Sequence, residues 1–561
     1  MNKTQRLLKD SAALRWLVMF LISGLTFSTY YFQDFYSGLK GLLESDFGFT
    51  SEEFGRMIGL TTIANIFGMI IIGGIILDKW GIRLAGLTFG GLAALGGLVS
   101  ALTASGFIFE DNKLLGLIIG RVMFGSGLEV VCVVAMRTIV KWFKGHELAL
   151  AMGINMGFGR LGSALAIAIS LDIAGASVSP AVTFAASLIG LSLIMFLVYT
   201  IFDVKLDKQM QAAKVSDGEE APEEDFKFSD LVKLVTNKSF IYITLLCVAF
   251  YSAVFPFIQY APDLLVNKFG FSYLLPKEAA VVAFGSEAFG NALVYITVFL
   301  FAIGITVVPN NMKNKNHKMM VRGILLVSFA VLVYLNLDMI RHWLVNGPKT
   351  SALIPLGTII FTPIFGNIVD KKGKAASLMM LGAFLLIFAH VSLALSSNPF
   401  FAYMGLLSLG IAFSLVPAAM WPSVAKIVPE NRLGTAYATM FTVQNWGLGL
   451  FFWGIGALLT VVNTDVVEAL RNRRSMLEEQ EGLKNAGEIS NRVKELQIQG
   501  ELPYYDYTIP ILVLVLCGVI SIFLAYQLKR ADKQQGYGLE LPSGHKDDPT
   551  ILQAEGQGNV E

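Results

Sequence analysis

Gly74-Ile75-Ile76-Leu77-Asp78-Lys79-Trp80-Gly81 and Gly366-Asn367-Ile368-Val369-Asp370-Lys371-Lys372-Gly373 are two copies of one pattern, Gly-x-x-x-Asp-Lys-x-Gly, separated by more than half of the chain. Each copy joins two consecutive apolar stretches of about 20 residues, the length that crosses a bilayer as a helix. Each also follows the second helix of a half, provided that a helical hairpin at 284–339 is counted as an insertion. Chance recurrence of four residues is ordinary, but recurrence in the same topological place is not. The pattern therefore predicts two similar six-helix halves related as a parallel repeat.

Outward from the two loops, apolar windows fall near 14–33, 55–77, 84–106, 114–139, 148–171 and 181–202. They resume near 240–262, 284–308, 321–339, 351–369, 376–396, 400–424, 434–462 and 508–528, about fourteen spans in all. The expected fold class is an all-α polytopic membrane protein. Its parts are an N-terminal six-helix bundle (1–203), an acidic cytoplasmic linker (204–238), and a C-terminal six-helix bundle (239–530). The second bundle carries the extra hairpin 284–339 and an extracytoplasmic loop 464–507, amphipathic from Val466 to Gln499, and a cytoplasmic tail (531–561) follows.

Composition agrees. Of 561 residues, 54% are hydrophobic and 15% charged, with 54 Gly, 41 Phe and a mean hydropathy of +0.61; soluble domains carry roughly 25% charged residues. A soluble globular enzyme, a disordered chain and a fibrous one are excluded. With a net charge of +1, no field invites nucleic acid or an acidic partner. Cys132, Cys247 and Cys517 sit in apolar runs and read as small core residues. Lys and Arg concentrate in alternate loops (Lys79 and Arg83, Lys141 and Lys144, Lys371, Lys372 and Lys374, Lys426 and Arg432), which places both termini in the cytoplasm. No cleavable leader is evident, so the first span is expected to stay as an anchor. The expected partners are the bilayer and a small solute, with no obligate protein partner.

Ionisable residues at mid-span cost about 2.5–3.5 kcal/mol each on insertion scales, so those that persist there are functional candidates. Glu129 lies fifteen positions before Lys144 and Arg160 sixteen after it. In an antiparallel hairpin centred on Lys144 both therefore sit roughly 20 Å from the turn, near the midplane. A carboxylate and a guanidinium at one depth suit a zwitterion: Glu129 for an ammonium, Arg160 for a carboxylate held bidentately. The bland alternative is a permanent salt bridge between two helices. Arg121, Gly125 and Glu129 form one stripe of the fourth helix, and Arg121 lines the outer cavity, pairs with Asp34 or serves as a structural arginine. Tyr30, Tyr31, Tyr251, Phe255, Trp421, Tyr437, Gln444 and Asn445 are candidates to shape a peptide-sized cavity. Each aromatic is individually more often core than contact, while two adjacent mid-span amides need partners. His390 reads as a structural histidine. Gly74, Asp78, Gly81 and Arg83, with Asp370 and Gly373, are the candidate gating residues at the cytoplasmic ends.

The two loops resemble the signature of the major facilitator superfamily, and Gly120-Arg121-x-x-x-Gly125 resembles its fourth-helix arginine motif. More specific stretches are Lys141-Trp142-Phe143-Lys144-Gly145-x-Glu147-Leu148, Arg160-x-Gly162-Ser163, Ala253 to Ile258, Trp421-Pro422-x-Val424-Ala425-x-x-Val428-Pro429-Glu430, and Leu433 to Tyr437 with Gln444-Asn445. Together they resemble the major facilitator superfamily domain-containing protein 1 group, whose lysosomal member is a dipeptide uniporter. The resemblance implies the major facilitator fold, alternating access, and the roles given above to Glu129 and Arg160. It covers both bundles but not the hairpin, the 464–507 loop or the tail. Leu7-Leu8 lacks an acidic residue upstream, so the family's lysosomal sorting signal is missing, which favours the plasma membrane of a bacterial cell.

The expected function is a carrier of small peptides, especially dipeptides, with no cofactor. Proton coupling stays open at this stage, with Glu129 as the titrating group. The runner-up is an organic-anion or nitrate-type carrier that uses both Arg121 and Arg160. A third reading is a sensor that binds without net flux. An enzyme is not expected: no HExxH, GxSxG or P-loop pattern occurs.

Overall fold

Backbone groups in hydrocarbon have no water to bond, so long apolar segments close their hydrogen bonds internally as helices. In the computed structural model 13 helices among the described residues are long and apolar enough to cross a membrane, and one bent pair, counted as one span, brings the count to 14. The structure describes residues 7–143, 146–217, 234, 236–306, 309, 312, 314–429, 433–479, 481–483 and 485–542.

The first bundle comprises α1 (Ala12–Asp34), α2 (Ser51–Ile66 and Met69–Leu77, bent by 51°), α3 (Lys79–Ala104), α4 (Lys113–Phe143), α5 (Leu148–Ala174) and α6 (Ser179–Asp217). The second comprises α7 (Lys238–Phe269), then the inserted α8 (Glu287–Thr306) and α9 (Lys315–Leu335). It continues with α10 (Leu353–Lys372), α11 (Ala375–Leu395), α12 (Pro399–Ile427) and α13 (Leu433–Val462). After α13 come two shorter helices, α14 (Thr464–Glu479) and α15 (Ala486–Ile498), and the last span, α16 (Thr508–Gln535). Helix α6 runs past the expected end of the bundle at 203. Nearly half of the acidic linker (218–233) and most of the tail (543–561) lie outside the described residues.

The two signature loops turn on glycines. Gly81 has φ 76° and Gly373 φ 66°, a region costly for residues with a Cβ. Gly81 breaks the helical path between α2 and the body of α3, and Gly373 breaks it between α10 and α11, as the repeat requires.

The two helices of the inserted hairpin pack differently. Only α9 is peripheral: none of its hydropathic window is buried. Helix α8 instead lies in the seam between the bundles, packed on α5 and α10. Its Asn291 donates to Asp172 of α5 at 2.8 Å, and its Tyr295 hydroxyl donates to the Lys349 carbonyl at 2.9 Å. Its Phe299 ring meets Phe158 edge-on at 5.4 Å.

The bundles touch mainly through α2 on α13 and through α5 on α10. Many cross-bundle hydrogen bonds and ion pairs come from N-terminal residues 34–66 and 168–176, the half away from the chain termini. They include Lys40–Asp263, Glu52–Thr460, Asp34–Gln259, Trp446–Ile66, Lys349–Asp172 and Arg474–Glu44. That face is closed. On the terminal face the stripe Gly153, Met156 (49% exposed) leading up to Arg160 is open.

Candidate functional site

Helices α4 and α5 bring Glu129 and Arg160 together as their spacing requires, both half-buried. Close approach makes this possible. A Cβ at Gly125, one turn from Glu129, would stand 1.8 Å from the Thr61 carbonyl oxygen of α2, and one at Gly162 would stand 2.3 Å from that of Phe27 in α1.

No salt bridge joins the two charges. The Arg160 guanidinium lies over the Phe413 ring of α12, 4.3 Å from its centroid. The Glu129 carboxyl faces the Asn445 amide of α13. The Tyr30 side chain lies in the neighbourhood of Glu129, Arg160, Cys132 and Tyr251. The permanent ion pair is therefore not what the structure contains. Each charge instead faces a neutral group of the opposite bundle, which leaves it able to take a charged partner.

The second bundle supplies an aromatic wall. Tyr251 of α7 stacks on Phe255 at 5.3 Å and on Trp421 at 6.4 Å, and Phe255 meets Phe413 edge-on at 5.5 Å. Trp421 in turn contacts Tyr437 at 5.7 Å and Phe441 at 5.1 Å. Pro417 and Pro422 stand inside α12, next to this wall. Gln444 accepts from the Cys247 thiol at 3.3 Å and Asn445 donates to the Phe441 carbonyl at 2.8 Å, so both mid-span amides have partners.

Two candidates are corrected. Arg121 is fully buried and lines no cavity. Its Nε donates to Thr61 at 2.9 Å and its Nη1 to the Phe32 carbonyl at 2.8 Å, with Gln33 at 3.4 Å. Those carbonyls are the unpaired end of α1, so Arg121 caps that helix, where a cation is favoured. It is enclosed by the rings of Phe32, Tyr36 and Phe124, and it does not bond the Asp34 carboxylate. Tyr31 is also withdrawn: successive helical side chains diverge by about 100°, and Tyr31 turns into the N-terminal core against Phe27 and Phe184. His390 is buried with Nδ1 2.8 Å from the Leu386 carbonyl oxygen.

The gating residues lie on the terminal face. Around Gly74 and Gly81 an added Cβ would meet nothing within 4 Å. The Asp78 side chain lies outside the described residues. Arg83 reaches Asp207 at 3.1 Å and Asp203 at 3.7 Å, and Lys141 reaches both, at 2.6 and 2.7 Å. These pairs line a cleft of about 530 Å³ within the first bundle, away from Glu129 and Arg160. The second copy is occupied. Gly373 packs on the Leu541 backbone, Lys374 and Ala375 donate to Glu540 and Leu539, and the Glu540 carboxylate accepts from Ser377. Asp370, at the end of α10, is exposed.

Sequence reasoning missed Phe413, Phe441, Asp34 and Gln259 as neighbours of the site. Phe413 and Phe441 are ordinary apolar residues of their helices. Asp34 carried the available signal, an acid at the end of an apolar span.

A sequence model described as Major Facilitator Superfamily matches residues 16–348 and 319–452. The chain is 27% identical over 464 residues to the lysosomal dipeptide transporter MFSD1 of Danio rerio, covering 80% of this chain and 81% of that protein. The Homo sapiens protein of the same name is 26% identical over 458 residues, covering 79% and 80%. Among solved structures, a D-xylose-proton symporter superposes with a TM-score of 0.53 at 13% identity, covering 92% of this chain and 97% of that one. A bacterial homologue of the human lysosomal transporter Spinster, inward-facing and occupied, gives 0.51 at 14% identity, covering 93% and 98%.

Proposed function

The chain belongs to the Major Facilitator Superfamily of membrane transporters, and from that premise we propose that it carries small peptides, dipeptides foremost, by alternating access. Glu129 takes the substrate ammonium and Arg160 its carboxylate. The observation that supports this reading is that neither charge has an ion-pair partner among the described residues: Arg160 lies over the Phe413 ring, Glu129 faces the Asn445 amide, and Tyr30 is near both. A peptide with two free termini supplies the opposite charge to each. The ring faces of Tyr251, Phe255 and Trp421 suit a side chain of varied shape. The dipeptide transport named for the MFSD1 relatives supports the same class of substrate.

The anion-carrier reading needs two free arginines, and Arg121 is committed to the end of α1. Closure of the face away from the termini corresponds to an inward-facing state once the Lys/Arg bias sets the orientation. We place the protein in the plasma membrane, because the acidic dileucine pattern is missing at Leu7-Leu8; fractionation of tagged cells tests that address.

The deciding experiment compares dialanine with its N-acetylated and C-amidated forms, by thermal shift on purified protein and by flux into liposomes. A ligand that binds only the folded form raises its stability. Free dialanine is expected to stabilise and to be transported, with both lost in Glu129→Gln and Arg160→Gln. Equal stabilisation by the blocked forms refutes recognition of the termini, and binding without flux refutes the carrier.

A further inference from the structure

Asp34, the last residue of α1, is 5% exposed and plays no part in the reading above. Both carboxylate oxygens are engaged: one accepts from the Ser163 hydroxyl of α5 at 2.5 Å, the other from the Gln259 amide of α7 at 2.7 Å. Ser163 stands three residues beyond Arg160, about 4.5 Å along the helix. Gln259 stands one turn beyond Phe255 of the aromatic wall. Asp34 thus ties the roof of the substrate site in one bundle to its roof in the other.

Its electrostatic position is unusual. Both donors are neutral, and no cation forms an ion pair with it among the described residues. The charges within reach are Arg160 on α5 and Arg121 on α4, and Arg121 is already spent on the end of α1. The Gln259 Oε1 atom is buried without a hydrogen-bond partner, so the amide is oriented by the carboxylate alone. A buried carboxylate is costly without a compensating charge, which leaves Arg160 as the mobile part of its compensation.

We propose that Asp34 is a positioning residue, a latch across the two bundles that reads whether Arg160 is occupied. The inference rests on the peptide reading of Glu129 and Arg160. In the unloaded site Arg160 supports the ionised carboxylate, and the carboxylate holds Gln259. When a peptide carboxylate neutralises Arg160, the latch loses that support and the bond to Gln259 weakens. The closed face is then freer to open. Binding energy at the floor of the roof is converted into motion of the seam, without Asp34 touching the substrate.

The test uses the full-length protein with a cysteine reporter, Gly153→Cys, on the open stripe below Arg160, and dialanine as the probe. In the parent, saturating dialanine is expected to slow labelling from the terminal face about fivefold, the effect on two evenly populated states of the tenfold equilibrium change that one charged hydrogen bond supplies. In Asp34→Asn and in Gln259→Leu, labelling is expected to be slow already and no longer to respond to dialanine. Thermal stabilisation by dialanine should stay within about threefold of the parent in apparent affinity. The half-saturation of uptake then holds while its maximal rate falls. Should Asp34→Asn fail to accumulate, Gln259→Leu decides, since it keeps the charge and removes only the bridge. Labelling that still responds to dialanine in these variants overturns the latch, as does loss of dialanine binding, which would make Asp34 a substrate contact. Failure of the peptide reading has a different signature: Glu129→Gln and Arg160→Gln would bind dialanine as the parent does.

Discussion

Replacing Lys40 by Met tests the idea that the closed face is held by a buried charge network. The Lys40 ammonium lies 2.7 Å from Glu44 and 2.9 Å from Asp263, 4.5 Å from the Tyr505 ring centroid, and is 1% exposed. Methionine keeps the length of the stem but strands two carboxylates. Breaking a buried pair costs about 3–5 kcal/mol, because a charge is left uncompensated. Here the low end applies. Glu44 keeps Arg474 at 2.8 Å, and Asp263 keeps the Tyr507 hydroxyl. Opening this face hydrates the stranded groups, so the cost falls on the closed state alone. A loss of about 3 kcal/mol changes the ratio of the two states about 150-fold. A carrier whose two states rest at about 1:1 would move to about 1:150 against the described state. Labelling of Gly153→Cys from the terminal face should therefore drop about 75-fold. Adding Asp263→Asn, which removes a stranded charge, should recover much of it. Unchanged labelling in a folded Lys40→Met protein would refute the reasoning, and so would a double variant no better than the single one.

Phe413→Ala removes the ring beneath Arg160 and should weaken dialanine binding, by roughly 1–2 kcal/mol for a desolvated cation–π contact, read as a five- to thirtyfold rise in the concentration needed for thermal stabilisation. Gly125→Val places side-chain atoms in the Thr61 carbonyl and should abolish the folded, monodisperse protein, checked by size-exclusion chromatography. At the C-terminal clasp, burial pushes the Glu540 carboxyl up, but its bonds to Ser377 and the Lys529 ammonium hold it below the usual glutamate range. A depressed carboxylate stabilises above its unfolded pKa and loses that stabilisation as pH falls through the folded value. Protection of the tail from carboxypeptidase should therefore persist at neutral and mildly acidic pH. It should disappear only below about 4.3, the unperturbed glutamate value, and Glu540→Gln should remove that pH dependence.

The repeat and the spans were legible because lipid imposes one rule on every residue of a span: apolar outside, helix throughout. Glu129 and Arg160 were legible for a related reason. Depth in a hairpin follows from counting residues, and charges at the midplane are too costly to be incidental. Rotation about the helix was not legible. Tyr30 and Tyr31 are adjacent in sequence and point to opposite sides of α1. Arg121 shares a stripe with Glu129, yet it is drawn to the carbonyls of α1 once α1 and α4 are packed. Pairing across the seam was the least legible. Phe413 and Gln259 matter through what the other bundle places opposite them, and nothing local records that. The segment 464–507 shows the same limit. Its helical, amphipathic pattern was readable, but not that Arg474 and Gly487 would fasten α14 and α15 to Glu44 and Ala176 of the first bundle.

That fastening has a kinetic consequence. The two helices cross the seam as a strap, anchored by chain continuity to one bundle and by bonds to the other. Opening the closed face requires Arg474–Glu44, Lys40–Asp263 and the Gly487–Ala176 backbone bond to part in one event, whatever peptide lies beneath. A conformational step of this kind sets the turnover of many catalysts. Peptides of different side chain would then differ in the concentration at which they saturate the carrier, while their maximal rates converge on one value fixed by the strap.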